Sequence, residues 1–276
     1  MLIVASLVLL VIAMWATAPR RRQGRRRRWF ATPPPSAWAP LLEREVPLYQ
    51  RLPAGLRTQL HGHLQVFLRE KKFVGCNGLA PDERMRVIIA AQACLLLLNR
   101  HGDYFPGFTS VLIYPESFVV PVVRRDGALE TRDHEVRSGE SWQRGPVVLS
   151  WQDIQQGLLA RGGGRNVVLH EFAHKLDEEN GAVDGVPALR DATTQAAWIE
   201  QLGREYDLLR LRARNVEDDV IDRYGATSPA EFFAVATEVF FERPQALAAR
   251  HPRLYEVLRD YFQVDPGLWR ENVSRD

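Results

Sequence analysis

Cysteine is nearly absent: two among 276 residues, Cys76 and Cys94, with no C-x-x-C pair. That excludes a disulfide framework and a cysteine-rich metal site. Cys94, inside IIAAQACLLLL, reads as a buried small residue. Phosphate-binding loops are missing too, because Gly162-Gly163-Gly164 lacks both the Lys-Ser/Thr of a P-loop and the spacing of a dinucleotide fingerprint. It reads as a flexible connector. There is no internal repeat, and no surplus of charge: 36 basic residues stand against 34 acidic ones, a net of +2. Seven of the basic residues are arginines between Arg20 and Arg28; setting them aside leaves 29 against 34, a mildly acidic remainder. Direct nucleic-acid binding is therefore not expected. The arginines are read as contacts to anionic lipid head groups, with RNA or DNA binding as the minor alternative.

Charge is absent altogether from Met1 to Ala18, which are rich in Leu, Val, Ile and Ala. As a helix they would span roughly 27 Å, enough for a bilayer core. A cleavable signal peptide carries its positive charge before the apolar run, whereas here the arginines follow it. Arginines beside a membrane helix stay in the cytoplasm. The expectation is a single-pass anchor (1–18) in the cytoplasmic membrane with everything after it inside the cell; an uncleaved signal-like segment or a misassigned start is the alternative. Residues 19–45, with their arginines and triple proline, are expected to form an extended linker. A domain over 46–270 and a tail over 271–276 complete the division.

Within the domain, Leu56, Leu60, Leu64, Phe67 and Leu68 recur at helical spacing. APDERMRVIIAAQACLLLLN opens with Pro81, Asp82 and Glu83, which suit a first turn, and is then apolar nearly all round, as a central buried helix would be. TSVLIYPESFVVPVV predicts two short strands broken at Pro115, the second at an edge because of Pro121. Residues 124–145 are polar, a hairpin or a loop, and Val147-Val148-Leu149 is a third strand. Ser150 resembles an N-cap, and a further helix is expected over 191–214.

The chemistry sits in NVVLHEFAHKLD. His170, Glu171 and His174 form H-E-x-x-H, and on a helix two histidines four apart share a face and can reach one metal ion. Glu171, turned aside, can hold a metal-activated water. Zinc then needs one more protein ligand and an open position. Downstream, Ser228-Pro229 starts a helix that is apolar on most sides, and a carboxylate there needs solvent or a partner. Glu231 and Glu238 compete for third ligand. They are two turns apart on one face, so spacing does not choose between them. Asp177, three residues after His174, is either an acceptor for an imidazole N–H or an exposed helix-end aspartate.

HEFAHKLD, DGVP and YGATSPAEFFAVATEVFF together resemble the MtfA family of bacterial zinc-dependent peptidases, also described as anti-repressors of the glucose regulator Mlc. The likeness runs from about Leu48 to Trp269. It implies one zinc per chain held by His170, His174 and Glu231, with Glu171 catalytic and Tyr224 as the active-site tyrosine. It further implies a zincin fold similar to the catalytic domain of anthrax lethal factor. The fold class expected is then α+β, a mainly helical domain with a small β-sheet, preceded by the one transmembrane helix read from residues 1–18, in which this chain departs from the family's soluble members. Peptide hydrolysis by a zinc-bound water that Glu171 deprotonates is the implied activity, with aminopeptidase action suggested by the family. The partners are then a peptide or protein substrate and the membrane through residues 1–28. An alternative from another class is a regulator that binds a transcriptional repressor, with peptidase activity secondary.

Overall fold

The apolar run after Pro81 is the centre of the fold. Helix α5 (Glu83–Leu95) begins where the Asp82 carboxylate accepts the Met85 amide at 2.7 Å, and every residue from Val87 to Leu95 is buried. A helix apolar on all sides must be surrounded, and it is. Helix α4 (Ala54–Glu70) lies along it, and α7 (Val167–Asp177) crosses nearby. This computed structural model describes residues 18–100, 102–126, 129–137, 139–141, 145–160 and 162–269, and the side chains of 118–144 lie outside that description.

Before α4 come α1 (residues 18–30), α2 (Trp38–Glu45) and α3 (Pro47–Arg51). The extended linker expected over 19–45 is therefore not what forms. Trp38 and Leu42, one turn apart on α2, are buried in the core, and the Trp38 indole donates to Glu83 at 2.9 Å. Apolar burial outweighs the triple proline, which is confined to the turn before α2. The predicted anchor, apart from Ala18, lies outside the described residues. Among the described residues no helix is long and apolar enough to cross a membrane.

Four strands form one sheet in the order β1 (Lys72–Gly75), β2 (Ser110–Tyr114), β6 (Val147–Ser150), β5 (Gly139–Ser141). The first three run parallel, and β5 pairs antiparallel to β6 at the edge. Strands β3 (Phe118–Asp126) and β4 (Leu129–Arg137) form a separate antiparallel ribbon in which Pro121 faces His134. Both strands of such a ribbon are edges, which suits a proline. The polar stretch after Arg124 is thus a hairpin arm and an edge strand. Ser150 caps α6 (Trp151–Leu159) as its sequence suggests, accepting the Asp153 amide at 3.2 Å.

Of the remaining helices, α9 (Pro229–Glu242) packs on α7, and α8 (Ala192–Arg214), α10 (Pro244–Arg250) and α11 (Pro252–Phe262) pack against α9. The fold is α+β and mainly helical, with a small sheet. Phe172 of α7 packs among Phe67, Phe105 and Phe108, with ring centroids 5.7, 4.9 and 5.7 Å away. Those aromatic contacts hold the apolar face of α7 inward and set the rotation of the face that carries the histidines.

Candidate metal centre

Helix α7 starts at Asn166, whose side-chain oxygen accepts the Leu169 amide at 3.1 Å, a conventional N-cap. One turn later comes His170, then His174, and their rings meet edge to face with centroids 4.9 Å apart. Across from them α9 begins at Ser228, whose hydroxyl accepts the Glu231 amide at 3.2 Å. With Pro229 at the first helical position, this start fixes Glu231 in the opening turn, facing α7.

Three donor atoms converge. His170 Nε2 lies 3.0 Å from Glu231 Oε2, His174 Nε2 lies 3.4 Å from the same oxygen, and the two imidazole nitrogens are 3.3 Å apart. Zinc bonds of about 2.0–2.1 Å at tetrahedral angles require ligand atoms about 3.3 Å from one another. The triangle matches that requirement, and its donor set of two imidazoles and one carboxylate is a zinc set that leaves a fourth position open.

Glu238 occupies a different place. Its Oε1 is 2.7 Å from the other nitrogen of His170, Nδ1, while Oε2 accepts the Asn166 backbone N–H. It faces away from the triangle, so of the two competing carboxylates only Glu231 joins it. The carboxylate of Glu238 selects the His170 tautomer with its proton on Nδ1, leaving the Nε2 lone pair for the triangle. Asn166 in turn donates its side-chain N–H groups to Gln92 Oε1 and Glu242 Oε1, each at 2.8 Å. Nothing in the sequence pattern distinguishes this network, since Asn166, Glu238 and Gln92 lie far apart along the chain.

The electrostatics follow from burial among charges. Burial raises the Glu171 carboxyl to about 7, against partial compensation by the two histidines. Its Oε2 is buried with no hydrogen-bond partner among the described residues. Burial alone would depress the His170 imidazole, but hydrogen bonds to Glu231 and Glu238 outweigh it and hold the metal-free ring well above its ordinary value. Burial likewise opposes ionisation of Glu231, yet the two imidazoles hold its carboxyl far below the usual range.

Tyr224 sits in a single helical turn (Arg223–Ala226) with its ring centroid 6.0 Å from that of His170. Its side chain is 45% exposed, at the open side of the site. The turn is fixed by Asp222, which accepts the Tyr224 amide at 2.8 Å, and by the Tyr206 hydroxyl, which donates to the Ala226 carbonyl at 3.3 Å. Asp177 meets neither expectation. It is fully buried rather than exposed, and its Oδ2 accepts the Gly185 amide at 2.9 Å instead of an imidazole N–H. A buried carboxylate takes the buried donor its surroundings offer, and here the loop after α7 supplies one. Burial raises this carboxyl to about 6.

Residues 20–263 match the family described as glucose-regulated metallo-peptidase M90. The uncharacterized protein slr2042 of Synechocystis sp. is 40% identical over 239 residues, covering 86% of this chain and 87% of that protein. Mlc titration factor A of Enterobacter sp. (strain 638) is 37% identical over 243 residues, 84% of this chain and 88% of that protein. The protein of the same name from Salmonella paratyphi A is 37% identical over 244 residues, 84% and 87%.

Proposed function

Because the chain belongs to the glucose-regulated metallo-peptidase M90 family, we propose that it is a zinc-dependent peptidase, tethered by residues 1–18 to the inner face of the cytoplasmic membrane. The observation that carries the zinc reading is the donor triangle of His170, His174 and Glu231, whose edges of 3.0–3.4 Å suit one tetrahedral ion. When bound, zinc would polarise the scissile carbonyl and make an adjacent water acidic.

The side chains supply the rest. Glu171, buried beside the two imidazoles, is the base: it takes the proton of the attacking water and hands it to the departing amine. Glu238 keeps the His170 ring in one orientation throughout. Tyr224 stands where its hydroxyl can donate to the oxyanion that forms on the former carbonyl. Aminopeptidase action, the narrower reading, would require a group that holds a free substrate amine beside this triangle.

The test is metal content beside hydrolysis of a mixed peptide library, for the full chain and Glu171→Gln. About one zinc per chain in both, with cleavage only by the wild type, is the expected result. Equal cleavage by a folded, metal-loaded Glu171→Gln protein would refute the mechanism. A second reading rests on the name of two relatives, Mlc titration factor A: a regulator that binds a transcriptional repressor. Repressor binding that survives Glu171→Gln, with no cleavage by either protein, would favour it.

A further inference from the structure

The arginine-rich helix α1 is part of the folded body, not a leash. Arg26 forms a two-pronged ion pair with Glu70 of α4, Nε to Oε1 and a terminal nitrogen to Oε2, both 2.8 Å. It also donates to Asp103 and lies over the Tyr104 ring. Arg22 reaches Glu70 at 3.3 Å. Phe30 rests on α4 at Gly62, where even a Cβ would come within 2.8 Å of the ring. The Gln65 side chain holds the next turn through the Pro33 carbonyl at 3.0 Å.

Successive residues turn about 100° around a helix, so Arg22, Arg26, Trp29 and Phe30 share the side facing the domain. Arg20, Arg21, Arg27 and Arg28 fall within the opposite third of the circumference, and all four are exposed. Arg20 and Arg27 also rim a groove of about 1240 Å³ against the 97–104 segment, which Arg22, Arg26 and Arg100 line too, opposite only two carboxylates, Asp103 and Glu179. The face is thus strongly positive while the remainder of the chain is acidic, and directly before it stand the uncharged apolar residues Met1 to Thr17. The four exposed guanidinium groups of the outer face, Arg20, Arg21, Arg27 and Arg28, suit phosphate oxygens, and an apolar segment next to them in sequence suits the acyl region beneath.

We propose that the outer face of α1 binds the head groups of an anionic phospholipid bilayer, and that the clamp of its inner face on α4 makes the bilayer hold the whole domain in one orientation. This rests on the membrane part of the reading above and is independent of the peptidase part. Each arginine near an anionic surface strengthens binding about fivefold, so four contribute several hundredfold at low salt.

The test uses the full chain with Arg20, Arg21, Arg27 and Arg28 all changed to Gln, and flotation with phosphatidylcholine vesicles with or without phosphatidylglycerol. Wild type should prefer the anionic vesicles by about a hundredfold or more at about 0.1 M salt and lose the preference at about 0.5 M. The variant should bind both vesicles alike, at the wild-type level for neutral lipid. Binding to neutral vesicles reads the apolar segment and the anionic preference reads the arginines, so the two fail separately. A preference that survives in the variant, or duplex DNA that strips wild type from the vesicles at matched phosphate concentration, would overturn the proposal. Orientation is read by head-group quenching of a fluorophore on Leu159→Cys in a Cys76→Ser background. A single distance is expected, giving way to a spread when Gly62→Leu and Glu70→Gln undock α1 with its arginines intact. The same spread in the undisturbed protein would refute the fixed orientation.

Discussion

Replacing Glu238 by Gln should weaken metal binding by 10- to 100-fold without unfolding the protein. The carboxylate uses both oxygens, one on His170 Nδ1 at 2.7 Å and one on the Asn166 backbone N–H. Gln has nearly the same shape but one acceptor, so either His170 or Asn166 then faces an NH₂ donor. A hydrogen bond to a charged group contributes about 1.5–3 kcal/mol. If that loss falls on the orientation of His170, it corresponds to roughly a tenfold to hundredfold change in affinity, the range found when such outer partners are altered. The assay is competition for zinc against a fluorescent chelator, with thermal unfolding of the metal-free protein recorded in parallel. The paired control is Glu242→Gln, which disturbs the Asn166 side chain without touching His170. The reasoning is refuted if Glu238→Gln binds zinc within about twofold of wild type, or if Glu242→Gln weakens it equally.

Leu42→Ala should destabilise the fold by about 2–5 kcal/mol in urea unfolding, because the side chain is fully buried; an extended linker would give almost none. Gly185→Ala places a Cβ 2.4 Å from the Pro229 carbonyl at a φ of +79°, and should lower both the melting temperature and the zinc retained after dialysis. His251, buried between Glu205 and Asp219 at 2.7 Å each, is lowered by burial but raised further by these partners, to about 9. Its contribution to stability is therefore complete below about pH 6.5 and lost as pH climbs through 9, on the order of 3 kcal/mol. The stability difference between wild type and His251→Gln should shrink over that interval. Lys71, lowered to about 8 by burial, has the opposite trend but is common to both proteins and cancels.

What the sequence made legible was whatever depends on neighbours along one element. His170, Glu171 and His174 lie within five positions of one helix, and helix geometry alone puts the two imidazoles side by side. The caps at Ser150 and Ser228 are likewise local, and both form as read; Asp82, read as a first-turn residue, is itself the cap of α5. The choice between Glu231 and Glu238 was not local. Both lie on one face of α9, and only the docking of α9 against α7 decides which imidazole nitrogen each one meets. Strand β1 is four residues long and too short to show an alternation. The stretch holding α1 and α2 reads as a linker from its composition, because Trp38 and Leu42 give little periodicity in a helix of eight residues. The surroundings of Asp177 were not local either: its partner, the Gly185 amide, comes from outside the helix.

Gly185 joins three helices: α7, α8 and the start of α9. Its amide is bound by Asp177 at the end of α7, its carbonyl accepts the Trp198 indole of α8 at 3.0 Å, and its bare Cα lies against Pro229, two residues before Glu231. The segment between α7 and α8 therefore behaves as a ruler between the histidines and the third ligand. Homologous chains are free to lengthen or shorten the β3–β4 ribbon, a two-stranded sheet separate from the main one, but lengthening this ruler by one residue would move Pro229 and carry Glu231 out of reach. Insertions among relatives should accumulate in the ribbon and be missing from residues 178–184, between Asp177 and Gly185.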